Sequence, residues 1–176
     1  SEVKSSQYNK MTYDKLHRFV LYYYQVNSVV RKNPKNILDV GSGNKTTATK
    51  LKDYGFNITT CDVDKKNFPD KIGDIRKLPV GDNEFEMVTA FEVLEHLPFS
   101  DFEKSIMELY RSSNLHVVIS IPFSGFLFGA NFKYKYRGKS KLFRLFVRVP
   151  YSNTKLKRTD GQEHYWEMGA KGSSKK

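Results

Sequence analysis

Ile37-Leu38-Asp39-Val40-Gly41-Ser42-Gly43-Asn44-Lys45 is the stretch whose reading decides the fold. An apolar strand that ends in a carboxylate and enters a two-glycine turn brings a ligand against bare backbone. The helix beyond the turn offers its free N–H groups to an anionic group. Phosphates and the carboxylate of a methionyl group both suit such a turn. The residues around it separate the two.

Ahead of this turn, Leu16, Phe19, Val20, Tyr23, Val26 and Val30 recur at helical spacing and predict a helix from Thr12 to Arg31, ended by Asn33-Pro34. Beyond it, Thr46–Tyr54 reads as a helix stopped by Gly55, and Asn57–Val63 as a second strand with acidic residues at its carboxyl end. Lys71–Ile75 reads as a short third strand and Phe85–Phe91 as a fourth. Ser100 with Glu103 forms a capping-box pattern that opens a helix with Phe102, Ile106, Leu109 and Tyr110 on its apolar face. His116–Ile121 is apolar enough to predict a central fifth strand. Strand and helix alternate, which implies a doubly wound α/β fold: a mainly parallel sheet with helices on both faces. Ligands of such sheets sit at the carboxyl ends of the strands.

The 176 residues suffice for one domain with a real core, and 39 % apolar with 28 % charged residues is ordinary for a globular chain. No apolar run reaches the ~20 residues of a membrane span, and no signal-peptide pattern opens the sequence. The single cysteine, Cys61, excludes an internal disulfide and fits a reducing, cytoplasmic setting. The formal charge of +11 is uneven, because 131–176 carries +10 of it. Such a segment attracts nucleic acid, anionic lipid or an acidic substrate, or it serves as a solubilising surface.

A dinucleotide fingerprint would need glycine at Thr46, and no Walker phosphate loop is present. The order of motifs instead resembles the class I S-adenosylmethionine-dependent methyltransferases, of the methyltransferase type 11 kind, over about 36–123. Ile37–Gly43 resembles the family's D-x-G-x-G motif, which implies that Asp39, Gly41, Ser42 and Gly43 border the methionyl end of the cofactor. Lys45 stands where the family usually has a third glycine; it could approach the methionyl carboxylate or point to solvent. The resemblance makes Asp62, with Val63 beside it, the acceptor for the ribose hydroxyls, and Asp64 the fallback. It makes Asp74 the acceptor for the adenine amino group and Ile75 the cover of the ring. Phe91-Glu92-Val93-Leu94-Glu95-His96 resembles the family's strand-to-helix segment, whose first residues line the cofactor near the sulfonium.

Methyl transfer displaces a sulfonium in line, and a hydroxyl acceptor also needs a base or a metal. On a helical turn Glu92 would share a face with Glu95 and His96, and oxygen and nitrogen ligands at that spacing suit Mg²⁺ or another divalent ion. E-x-x-E-H resembles the metal site of methyltransferases acting on ubiquinone precursors and on the 2′-hydroxyl of small RNAs; His164 would be the further ligand. Without a metal, Glu92, His96 and His164 are the candidate catalytic groups.

The expected division is one domain over 1–176: an N-terminal helix at 12–35, a cofactor-binding core at 36–123, a basic aromatic insertion or lid at 124–160, and a tail at 161–176. Interleaved cations and aromatics in 131–158 suit single-stranded RNA, an anionic membrane surface or a plain substrate lid. The resemblance implies a final helix and antiparallel strand pair after the fifth crossover, and about ten residues follow Trp166. That leads to the expectation that the strand pair is lacking, leaving an open edge for a partner or for a second copy in a homodimer. The functional expectation is methyl transfer to an unidentified acceptor, a hydroxyl of a small molecule or RNA. The alternative is a non-catalytic module of the same fold that binds RNA or a protein.

Overall fold

The computed structural model describes residues 15–122 in full, with the backbone of 125–136 and 139–150. The described chain divides into two units, one reaching Ile121 and the other starting at Pro122.

The first unit is built on five parallel strands in the order β3-β2-β1-β4-β5. They are β1 (Asn36–Val40), β2 (Asn57–Asp62), β3 (Lys71–Ile72), β4 (Phe85–Phe91) and β5 (Ser113–Ser120). The helices are α1 (Leu16–Val30), α2 (Thr46–Asp53) and α3 (Phe102–Ser112). β1 lies in the middle, with Ile37–Val40 opposite Ile58–Cys61 on one side and Met87–Ala90 on the other. A strand covered on both faces has no solvent side, which is why β1 and β4 read as continuous apolar runs rather than alternating ones.

Alternate residues of these strands feed two cores. Ile37, Ile58 and Met87 meet Val29 of α1 with Ala48 and Leu51 of α2. Leu38, Val40, Val88 and Ala90 meet Leu109, Phe102 and Ile106 of α3. Leu38 and Met87 are fully buried, and each such burial contributes roughly 1.5–3 kcal/mol. The loop over the second core is held by Arg111, which donates to Glu108, Asp82 and the carbonyls of Val80 and Leu78.

Four expectations are corrected. β5 is an edge strand of this sheet, and Leu115 near its start is 64 % exposed. The Ser100–Glu103 box does not form: Phe99–Asp101 is a 3-10 turn and α3 begins at Phe102 with no side-chain cap. Asp101 instead accepts from Arg76 Nη1 at 3.0 Å. Tyr110 is exposed, and Ser105 and Ser112 take buried places on α3. On α1 only Gln25 and Val29 are buried, while Leu16, Phe19 and Tyr23 are exposed. The helix meets α2 through its carboxyl-terminal half, where Thr47 Oγ1 donates to Gln25 Oε1 at 2.7 Å.

The second unit is an antiparallel hairpin of β6 (Gly125–Tyr136) and β7 (Lys139–Pro150), paired from Gly125 opposite Pro150 to Tyr136 opposite Lys139. The described part of the basic segment is thus a two-stranded ribbon rather than another β-α unit. Residues 151–160 of the expected insertion and the tail 161–176 lie outside the described residues. No described helix is long and apolar enough to cross a membrane.

Candidate functional site

Strand order reverses beside β1, so the carboxyl ends of β1 and β4 flank the crevice where doubly wound sheets bind ligands. The glycine turn leaves β1 there with Gly41 at φ +70 and Gly43 at φ +47, left-handed values that disfavour side chains. A Cβ on Gly41 would lie 2.4 Å from Val93 Cγ2, so the turn after β4 presses directly on it. Gly41 N donates to Cys61 O at 2.7 Å, and Gly43 N to Asp62 Oδ2 at 2.9 Å. Asp62 Oδ1 accepts from Asp64 N at 2.9 Å. Asp62 therefore ties the end of β2 to the glycine turn with one bond per oxygen. A carboxylate has about four acceptor positions, so two remain for a diol.

Ser42 Oγ is buried and takes no hydrogen bond among the described residues. An orphaned hydroxyl beside bare backbone, next to a carboxylate with spare acceptor capacity, fits a polar ligand. Lys45 adopts the left-handed conformation at φ +59, and its Nζ donates to the carbonyl of Phe68, spanning to the connection after β2. Tyr22 of α1 accepts from Asn44 Nδ2 at 3.1 Å, while Asn44 Oδ1 accepts from Thr46 N at 3.1 Å and holds the first turn of α2.

Asp39 lies beneath the turn, buried, accepting from Thr89 Oγ1 at 2.8 Å. Burial pushes its carboxyl up to about 6, against the opposing pull of the Thr89 hydroxyl. The native state thus holds a proton between about pH 4 and 6 that the unfolded chain has released, so stability falls as pH rises through that window. The expected loss is about 3 kcal/mol, complete above pH 6. Asp39→Asn lacks this slope, so its stability relative to the parent should improve from pH 4 to pH 7 in urea unfolding. Parallel pH curves would contradict the assignment.

Asp74 is already engaged. Arg76 donates to it from Nε at 2.9 Å, from Nη2 at 2.5 Å and from its backbone N at 2.8 Å. The Arg76 side-chain bonds hold the Asp74 carboxyl below its usual range. Any adenine contact at Asp74 must therefore share this carboxylate with Arg76. Ile75 is buried in the α3-side core, Phe91 packs at the edge of the other core, and Val63 is half-exposed beside Asp62. Gly73 is required where it stands, because a Cβ would lie 2.3 Å from Pro79 Cδ.

The segment after β4 is not the helical turn expected. Glu92 has φ +56, and Leu94–His96 form a 3-10 turn. Glu95 is fully buried while Glu92 is half-buried, so the expected common face of Glu92, Glu95 and His96 does not arise. Among the described residues no group of three or more His, Cys, Asp or Glu is placed to hold a metal ion. These residues do not fit a metal centre; His164 lies outside the described residues.

Three contributors escaped sequence reasoning: Thr89 under Asp39, Arg76 on Asp74, and Ser120 against Glu92. Thr89 and Asp39 are register partners across β1 and β4, and only the strand order reveals that.

A parallel sheet in this strand order, with a glycine turn after β1 and an acidic end to β2, is a Rossmann-like fold. The family model described as "Methyltransferase domain" matches residues 38–114, a little under half of the chain. No curated protein matches the chain. Among solved structures, the PH0226 protein from Pyrococcus horikoshii OT3 is 19 % identical, with 64 % of this chain and 62 % of that chain covered and a TM-score of 0.52. The glycopeptide N-methyltransferase MtfA, complexed with sinefungin, is 14 % identical, with 73 % and 66 % covered and a TM-score of 0.52. The Burkholderia thailandensis 1,6-didemethyltoxoflavin-N1-methyltransferase, with that substrate and S-adenosylhomocysteine bound, is 15 % identical, with 70 % and 60 % covered and a TM-score of 0.50. The matched part spans less than two thirds of each of these three chains. At such identities the likeness establishes the fold.

Proposed function

We propose that the chain binds S-adenosylmethionine in the β1–β4 crevice and transfers its methyl group to an acceptor whose identity is open. The observation that carries this reading is the Gly41–Gly43 turn tied to Asp62, with spare acceptor capacity on the carboxylate and an unsatisfied Ser42 hydroxyl beside it. Sinefungin and S-adenosylhomocysteine, bound by two of the structural neighbours, are analogues of that cofactor.

In this reading the bound cofactor supplies a methyl group on a cationic sulfur. Asp62 takes the ribose hydroxyls, and Gly41 and Gly43 admit the methionyl end to the backbone. Asp74, steadied by Arg76, borders the adenine with Val63 and Ile75, and Phe91 closes the inner wall. Glu92 faces the acceptor side from the end of β4, and His96 follows it on the 3-10 turn. Positioning of the acceptor along the line of displacement supplies much of the rate. A hydroxyl acceptor would lose its proton to a side chain there. The single buried thiol, raised to about 11 chiefly by burial, suits a cytoplasmic setting.

Thermal unfolding tests the cofactor site. S-adenosylhomocysteine at a hundred times its dissociation constant should stabilise the parent by about 2.7 kcal/mol and leave Asp62→Ala unmoved. An unmoved parent would contradict the reading.

The basic ribbon is the proposed contact for a polyanionic acceptor or surface, with cations spread along 131–158. Neutralising Lys133, Lys135, Arg137 and Lys139 should weaken binding to single-stranded RNA or anionic vesicles and lower the logarithmic salt slope on RNA by about three. An unchanged slope would remove the nucleic-acid contact from this segment.

A further inference from the structure

We propose that Glu92, clipped to Ser120, makes the crevice favour a ligand with a cationic centre over its neutral counterpart. The inference rests on the cofactor reading above and concerns the electrostatics of that site.

Glu92 is a non-glycine residue held at φ +56 where β4 ends. Glycine would hold this backbone without strain, so what glutamate adds is its carboxylate. Strain of this kind persists only where surrounding contacts over-determine it. Here those contacts come from one residue of the neighbouring strand. Glu92 N donates to Ser120 O at 3.1 Å and to Ser120 Oγ at 3.2 Å, and Ser120 Oγ donates to Glu92 Oε1 at 2.8 Å. Main chain and side chain of Glu92 are thus fixed by the same serine.

The clip stands at the crevice because Val93, the next residue, occupies the space that a Cβ on Gly41 would take. Glu92 is half-buried, and one of its oxygens is committed to Ser120. A fixed, partly desolvated carboxylate interacts with a ligand charge more strongly than one in water and needs no reorganisation to do so. S-adenosylmethionine carries a positive sulfur and S-adenosylhomocysteine a neutral one. Sinefungin carries an amine at that place and is cationic. A carboxylate held at this mouth favours the charged pair and lets the neutral product go. Ser120 acts through Glu92 and is a positioning residue.

The test is calorimetric titration of the full chain with sinefungin and S-adenosylhomocysteine as probes, for the parent, E92Q, E92G, S120A and S120T. The parent should prefer sinefungin. In E92Q that preference should fall about tenfold, the value of roughly 1.4 kcal/mol for one lost charge pair, with S-adenosylhomocysteine affinity within about twofold of the parent. S120A should lose several-fold of the preference and S120T should recover it. E92G removes the charge while relaxing the backbone, so its melting temperature should stay at or above the parent's while the preference falls. An affinity ratio that E92Q and E92G leave unchanged overturns the proposal while the cofactor site stands. Failure of the folded parent to bind either probe overturns both.

Discussion

Gly41→Ala is expected to abolish measurable cofactor binding and to lower thermal stability. Two costs add at this position. A side chain at φ +70 is disfavoured by roughly 1–2 kcal/mol. Its Cβ would also lie 2.4 Å from Val93 Cγ2, so the turn or the Glu92-Val93 segment must shift, and overpacking of this kind costs about 1–3 kcal/mol. Together they should lower the melting temperature by on the order of 10 °C. Affinity should fall on the order of a hundredfold or more, because the displaced backbone is the proposed binding surface. Gly81→Ala is the matched control: its Cβ would meet only Glu84 Oε2, at 3.5 Å, and little should change. Melting curves with cofactor titration read both effects. A Gly41→Ala chain with parental affinity would place the ligand elsewhere.

Asp62→Ala should cost at least as much in binding and less in folding. The carboxylate is the acceptor for Gly43 N and Asp64 N, so its removal leaves two amides to find water and loosens the turn. It also deletes the proposed ribose contact, where each bond to a charged acceptor is worth about 1.5–3 kcal/mol. The expected loss in affinity is a hundredfold or more. Asp62→Asn keeps one acceptor oxygen and should fall between parent and Ala. Unchanged binding in Asp62→Ala would move the ribose contact to Asp64, whose side chain accepts from Lys66 N. Both variants must be shown to be folded by near-ultraviolet circular dichroism.

The sequence carried the fold most clearly where burial is two-sided. The fourth strand was expected at Phe85–Phe91 and found there, because a strand covered on both faces is an apolar run bounded by turn residues. The first strand matched to within a residue for the same reason, and the helix after the turn did so because Gly55 follows its end. β5 misled because its apolar residues suggest a central strand, yet it is an edge in the described sheet. Its neighbours, not its composition, decide that. The capping box at Ser100 did not form: α3 starts two residues later with Asp101 at its N-cap, and Arg76, 25 positions away, takes the Asp101 carboxylate that could have capped it. Local propensity has no means of seeing such a partner.

Around the proposed site, the pattern singled out Gly41 and Gly43, and both adopt left-handed backbone that favours glycine. What they lean on was illegible. Val93 against Gly41, Thr89 under Asp39 and Ser120 against Glu92 are set by strand order and register, and a linear pattern contains neither. The helical spacing proposed for Glu92, Glu95 and His96 failed for a local reason. A left-handed residue at Glu92 breaks the helical path at its first step, and the turn that follows winds with 3-10 geometry.

The central claim is that the β1–β4 crevice is a cofactor site for S-adenosylmethionine. Calorimetric titration of the folded chain with S-adenosylmethionine and S-adenosylhomocysteine, with NAD as control, tests it most directly. The account predicts one-site binding of the first two in the micromolar range, about −8 kcal/mol, and none for NAD. A folded chain that binds neither S-adenosyl compound would contradict it and leave a methyltransferase-like fold serving as a binding module.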